Sequence, residues 1–196
     1  MTALTLKSYQ QSALDALATY ARAARVKGPA AAFAEHAGRA YNADAFGPDV
    51  PCVCLRIPTG GGKTVLAAHA VPLLAAEWRG TDAPVAVWLV PSDTIRAQTL
   101  RALQTTGHPY REALEAVYGL GLRVCSLDDV AQVPAPQWGR QAVVIVVATI
   151  QSFRIDDAGQ RNVYSFTEAF EPHFKYALAQ GKGAEGGRDL ACLHAL

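Results

Sequence analysis

The stretch IPTGGGKTVLAAH, Ile57 to His69, sets three consecutive glycines between a proline and a Lys-Thr pair, then runs into a helix-forming sequence. Glycines at 60, 61 and 62 accept positive φ and let an anion approach the backbone with no Cβ in its way. Successive N–H groups in such a loop, followed by a helix N-terminus, make a cradle for phosphate. Within it Lys63 neutralises the β- and γ-phosphates of a nucleotide, and the Thr64 hydroxyl ligates the magnesium that bridges them. Thr59 opens the loop and counts, with Gly60, Gly61, Gly62, Lys63 and Thr64, among the residues assigned to ATP and Mg2+. Average residue usage would produce GGGKT by accident in only about a few chains per ten thousand of this length.

Outward from the glycines the chain alternates. VPCVCLRI, ending at Ile57, reads as a strand that delivers the loop, and Thr64 to Trp78 reads as a helix that Pro72 should bend. APVAVWLV is a second strand, and PSDTIRAQTLRALQ is a helix that Ser92 can cap. REALEAVYG reads as a helix, LRVCSL as a weak strand, and AVVIVVAT as the clearest strand of all. Its β-branched run without polar alternation suits burial on both faces of a parallel sheet. Strand, helix, strand, helix, strand predicts a doubly wound α/β domain, with ligands beyond the carboxyl ends of the strands, where the glycines would sit. Ahead of this, Tyr9 to Val26 reads as a helix that stops at Gly28-Pro29, and a second alanine-rich segment ends at Gly47-Pro48.

The composition sets bounds. The chain has 196 residues, 51% hydrophobic and 18% charged, which is globular rather than disordered. A formal net charge of +1 neither supports nor excludes a nucleic-acid partner, so any such contact must be local. The start MTALTLKSYQQ is unlike a signal peptide and AVVIVVATI is too short to span a bilayer, so the expectation is a cytoplasmic protein with no membrane partner. Cys52, Cys54, Cys125 and Cys192 have neither metal nor disulfide-framework spacing and read as reduced, packed thiols. The five histidines fall at no ligand spacing.

PTGGGKT departs from the general phosphate loop by placing Ile57 where glycine is usual. In that form it resembles motif I of superfamily 2 DEAD/DEAH-like helicases and translocases, particularly the ATPase subunits of type I and type III restriction enzymes. LKSYQQSALDAL resembles the helix that in those families places a glutamine, here Gln10, against adenine. VWLVPSDTIRAQTLRAL is similar to motif Ia, and VVIVVATIQSF to the strand that precedes the acidic box. The resemblance implies a RecA-like P-loop fold using ATP and Mg2+, and contacts to a DNA backbone from Ser92, Arg96, Thr149 and Ser152. For each of these four, a plain helix cap, a solvated charge or a satisfied strand end is the competing reading.

Such an ATPase also needs an acidic pair at a strand end, and no apolar strand here ends in Asp-Glu. Asp128 and Asp129 come closest but precede the TIQSF strand, and they read as a capped loop. The resemblance therefore implies the N-terminal part of a first motor domain, incomplete without the acidic-box strand and a second RecA-like domain. A helical segment 1–48, a partial RecA-like domain 49–155 and an insertion 156–196 are expected. A sheet so cut leaves an unpaired edge and exposed apolar surface. Hydrolysis would need elements from elsewhere, on another chain or alongside a restriction-modification partner. A non-enzymatic nucleotide- or nucleic-acid-binding piece, and another P-loop enzyme such as a small kinase, are the alternatives.

Overall fold

The computed structural model describes residues 5–43, 47–133 and 142–153. They fold as α/β in the order α1 (Ser8–Lys27), α2 (Pro29–Ala37), α3 (Lys63–Leu74), β1 (Val85–Val90), α4 (Asp93–Gln104), α5 (Pro109–Tyr118), β2 (Leu122–Ser126) and β3 (Val143–Thr149). Two compact units result: the described residues up to Pro84 with Ala102–Leu122, and Val85–Arg101 with those from Arg123 onward.

In the first unit, α1 buries Gln10, Leu14, Leu17, Ala21 and Ala24, whose spacing of three and four makes one buried stripe, apolar from Leu14 onward. That stripe packs α1 against α2 and α3. Gly28 closes α1 at φ 85°, and Pro29 starts α2, where a missing N–H costs nothing. Tyr20, Ala24 and Ala32 then form a small core with Phe33 and Trp78. Burial pushes the Tyr20 phenol up to about 12.

Inside α3, Pro72 has no N–H to give, and the chain leaves α geometry soon after it, completing one turn of π-helix over Ala75–Arg79. The turn is tied back to α1 by a bidentate pair, Arg22 Nε and Nη2 to the Glu77 carboxylate at 2.8 and 2.6 Å. The helix expected over Thr64 to Trp78 is therefore two geometries in series.

The second unit holds a three-stranded sheet in the order β1-β3-β2. β1 and β3 are parallel, in register from Val85 opposite Val144 to Val90 opposite Thr149. Every residue of β3 is buried, as a central strand with neighbours on both sides requires. β1 lies at the edge, and Val85, Val87 and Leu89, which share a face, are 45%, 56% and 51% exposed.

The expected strand VPCVCLRI is not a strand: Pro51 to Ile57 join no ladder. A ladder needs a partner for each N–H and C=O, and Pro51 lacks the donor. Here the Tyr41 hydroxyl takes the partner's place, donating to the Val50 carbonyl and accepting from the Cys52 N–H. As a result Cys52 and Cys54 are exposed rather than packed, whereas Cys125 is buried and its thiol is pushed up to about 11 by that burial. Within the alanine-rich segment after α1, α2 ends at Gly38, which stands in the left-handed region. The helix expected over Thr167 to Gln180, the linker GKGAEGG, the stripe Leu190, Leu193 and Leu196, and Cys192 lie outside the described residues.

Candidate functional site

The glycine loop has the local geometry that the residue types require. Gly60 and Gly62 stand at φ 76° and 75°, conformations that L side chains rarely adopt. Gly61 is fixed by space instead: a Cβ there would lie 2.6 Å from Ile57 Cγ2 and 2.9 Å from the Pro58 carbonyl. Ile57, the residue that departs from the usual loop, thus occupies room left by Gly61. At Gly62 an added Cβ would sit 2.5 Å from Gln10 Nε2 as well.

α3 begins directly after the loop, with Gly62 as its N-cap and Lys63 and Thr64 in its first turn. The first-turn amides and the positive end of the helix dipole therefore belong to the same few residues as the glycines. Lys63 is exposed, and its Nζ donates to the Pro58 carbonyl at 3.0 Å, the oxygen that also accepts from the Gly61 N–H at 3.0 Å. An ammonium has three donors, so this contact leaves capacity for an anion. Partial burial holds the His69 imidazole of α3 below its ordinary range, so at neutral pH it adds little charge to this helix. Glycines that exclude a Cβ, a helix N-terminus and an accessible lysine fit a polyphosphate.

Gln10 lies beside this loop, 6% exposed. Its Nε2 donates to the Gly61 carbonyl at 3.0 Å, and its Oε1 accepts from the Lys7 N–H at 2.9 Å. Tyr9 donates to the same Gly61 oxygen at 3.0 Å. Sequence reading missed Tyr9, although its place immediately before Gln10 in LKSYQQ was visible.

The four residues expected to touch DNA divide differently. Ser92 caps α4, its Oγ accepting from the Ile95 N–H at 3.4 Å. Thr149, 3% exposed, ends β3, with its hydroxyl 2.8 Å from Ser152 Oγ and accepting from the Ser152 N–H at 3.2 Å. Arg96 pairs through Nε with Asp93 at 3.0 Å. A cleft of about 290 Å³ beyond the ends of β1 and β3 brings Arg96, Thr149 and Ser152 together with Asp93, Asp128 and Gln151. Asp129 accepts from Ser126 Oγ at 2.6 Å in the turn after β2, which occupies its carboxylate locally. Among the described residues no group of three or more histidine, cysteine or acidic side chains could hold a metal ion, and no helix is long and apolar enough to cross a membrane.

Residues 3–176 match the family model described as type III restriction enzyme, res subunit. No curated protein and no solved structure matches.

Proposed function

The chain belongs to the type III restriction enzyme res-subunit family, whose members are helicase-like ATPases, and from that premise we propose that it binds ATP with magnesium through the Gly60–Thr64 loop and contacts a DNA backbone. The observation that carries the nucleotide half is the loop itself. At Gly61 no Cβ fits, Gly60 and Gly62 hold positive φ, and Lys63 and Thr64 follow in the first turn of α3. Thr59 to Gly62 would supply backbone donors, Lys63 the charge, and Thr64 a hydroxyl for the metal. A bound triphosphate supplies the free energy that such motors couple to movement on nucleic acid.

Gln10 is the proposed base contact. One amide hydrogen and one oxygen lone pair remain after its bonds to Gly61 and Lys7, which is the donor-acceptor set that adenine presents in reverse. For DNA, the cleft beyond β1 and β3 supports contacts from Arg96 and Ser152, with Ser92 presenting the start of α4 and Thr149 holding Ser152 in place. Such contacts position a strand and carry no sequence information. Asp129 is committed to its turn, so we assign it no metal role.

Titration of the folded chain with a fluorescent ATP analogue and magnesium, with GTP as competitor, tests the reading. Binding that GTP displaces poorly and that Lys63→Ala weakens strongly is the expected result. A folded chain that binds no analogue, or that binds it equally well after Lys63→Ala, would overturn it.

A further inference from the structure

A peptide between two glycines is the easiest in a chain to turn over, since no Cβ on either side resists the rotation. The Gly61–Gly62 peptide lies in the middle of the phosphate loop, and its orientation decides whether the Gly62 N–H faces a bound anion. Two side chains of α1 fix that orientation. Tyr9 Oη and Gln10 Nε2 both donate to the Gly61 oxygen at 3.0 Å. In a trans peptide, C=O and N–H point to opposite sides, and the chain has no cis bond among the described residues. Holding the Gly61 carbonyl toward α1 therefore turns the Gly62 N–H away from α1.

We propose that Tyr9 and Gln10 form a two-donor clamp on the Gly61 carbonyl that sets the phosphate loop in its anion-binding form, which makes Tyr9 a positioning residue for phosphate binding. The proposal rests on the phosphate-binding reading above. Gln10 is braced for the task, since its Oε1 is held by the Lys7 N–H at 2.9 Å and the side chain is only 6% exposed. The fit is mutual: a Cβ at Gly62 would come within 2.5 Å of Gln10 Nε2, so the clamp occupies the space that glycine leaves open. Tyr9, by contrast, is 41% exposed, so its hydroxyl can be removed with its ring contacts left in place. Gln10 thus acts on the loop whether or not a base is present.

The distinguishing ligand is inorganic tripolyphosphate with magnesium, which carries the phosphates and no base. Its affinity is measured in the full chain by displacement of a fluorescent ATP analogue and by calorimetry, for Tyr9→Phe, Gln10→Glu and the pair. Gln10→Glu keeps the acceptor for Lys7 and removes the donor to Gly61. Tyr9→Phe should weaken tripolyphosphate roughly 2- to 12-fold, the range of one lost hydrogen bond, and Gln10→Glu by more, because its carboxylate also repels the Gly61 oxygen and the anion. The double variant should lose more than the product, because either donor alone still holds the peptide. In uniformly isotope-labelled protein without ligand, the Gly62 amide resonance should broaden in the double variant while the β3 amides keep their shifts. Unchanged tripolyphosphate affinity in Tyr9→Phe and in the double variant, with ATP weakened by Gln10→Glu alone, would overturn the clamp and leave Gln10 a base contact only. A folded parent chain that binds neither tripolyphosphate nor the ATP analogue would overturn the phosphate reading and the clamp with it.

Discussion

The glycine loop and the strand-end cleft use the same kinds of polar groups in different ways. In the loop, side chains from α1 reach a backbone oxygen about fifty residues away in sequence: Tyr9 and Gln10 on Gly61. At the cleft the bonds of the candidate contact residues are local, Ser92 to Ile95, Arg96 to Asp93 and Thr149 to Ser152, while Gln151 of the same cleft reaches across the sequence, donating to the Pro91 carbonyl at 3.3 Å. Long-range bonds hold a shape that the loop's own sequence leaves soft, whereas local bonds start helices and turns that would form there anyway. The contrast shows where a substitution should damage function without damaging the fold.

Lys63→Ala should mark one extreme. Removing a charged donor at an exposed site should weaken ATP-analogue binding by roughly 10- to 100-fold, with the melting temperature of the chain nearly unchanged. A large fall in melting temperature would blur the contrast, since the lysine would then be part of the fold. Gly62→Ala comes next, combining positive φ with a clash against Gln10 Nε2. It should cost about 1–3 kcal/mol in denaturant unfolding, and more than Gly60→Ala, where φ is similar but the space is open. Equal losses at 60 and 62 would remove Gln10 from the explanation.

On the other side, Arg96→Ala should flatten the salt dependence of DNA binding by about one unit of slope and leave nucleotide affinity alone. Ser92→Ala should cost about 1 kcal/mol of stability through the lost cap, read by thermal unfolding, again without touching nucleotide binding. A nucleotide effect from either variant would break the separation between the two regions.

The smallest effect expected is in the Arg22–Glu77 pair. The hydrogen bond from Arg22 holds the Glu77 carboxyl below its ordinary range, on a side chain that is half-buried. A lowered folded-state value means that the pair's contribution is present above the ordinary glutamate range and is lost as pH falls through the folded-state value. Acid unfolding of Glu77→Gln should converge with that of the parent at low pH, and salt should shrink the remaining difference. Divergence toward low pH would reverse the assignment.

How much of this was legible beforehand depended on what each signal measured. The α1 stripe and the buried run of β3 are local patterns, and both elements lie within a residue or so of where period and composition put them. VPCVCLRI has the composition of a strand, but a strand is made by its neighbour, and its backbone groups at Val50 and Cys52 are met instead by Tyr41. The glycine geometry of the GGGKT loop was legible because it lies in consecutive residues. The clamp was not, because nothing in LKSYQQ says which carbonyl some fifty residues further on its hydroxyl and amide will find.

Ile57 and Gly61 share one small volume, since a Cβ on the second would meet Cγ2 of the first at 2.6 Å. Position 57 can therefore hold a branched residue because position 61 is glycine, and position 61 is closed twice over, since the Pro58 carbonyl would meet the same Cβ at 2.9 Å. A pattern search that insists on glycine at the first loop position discards chains built this way. One that admits a branched residue at the first position wherever glycine holds position 61 would keep them.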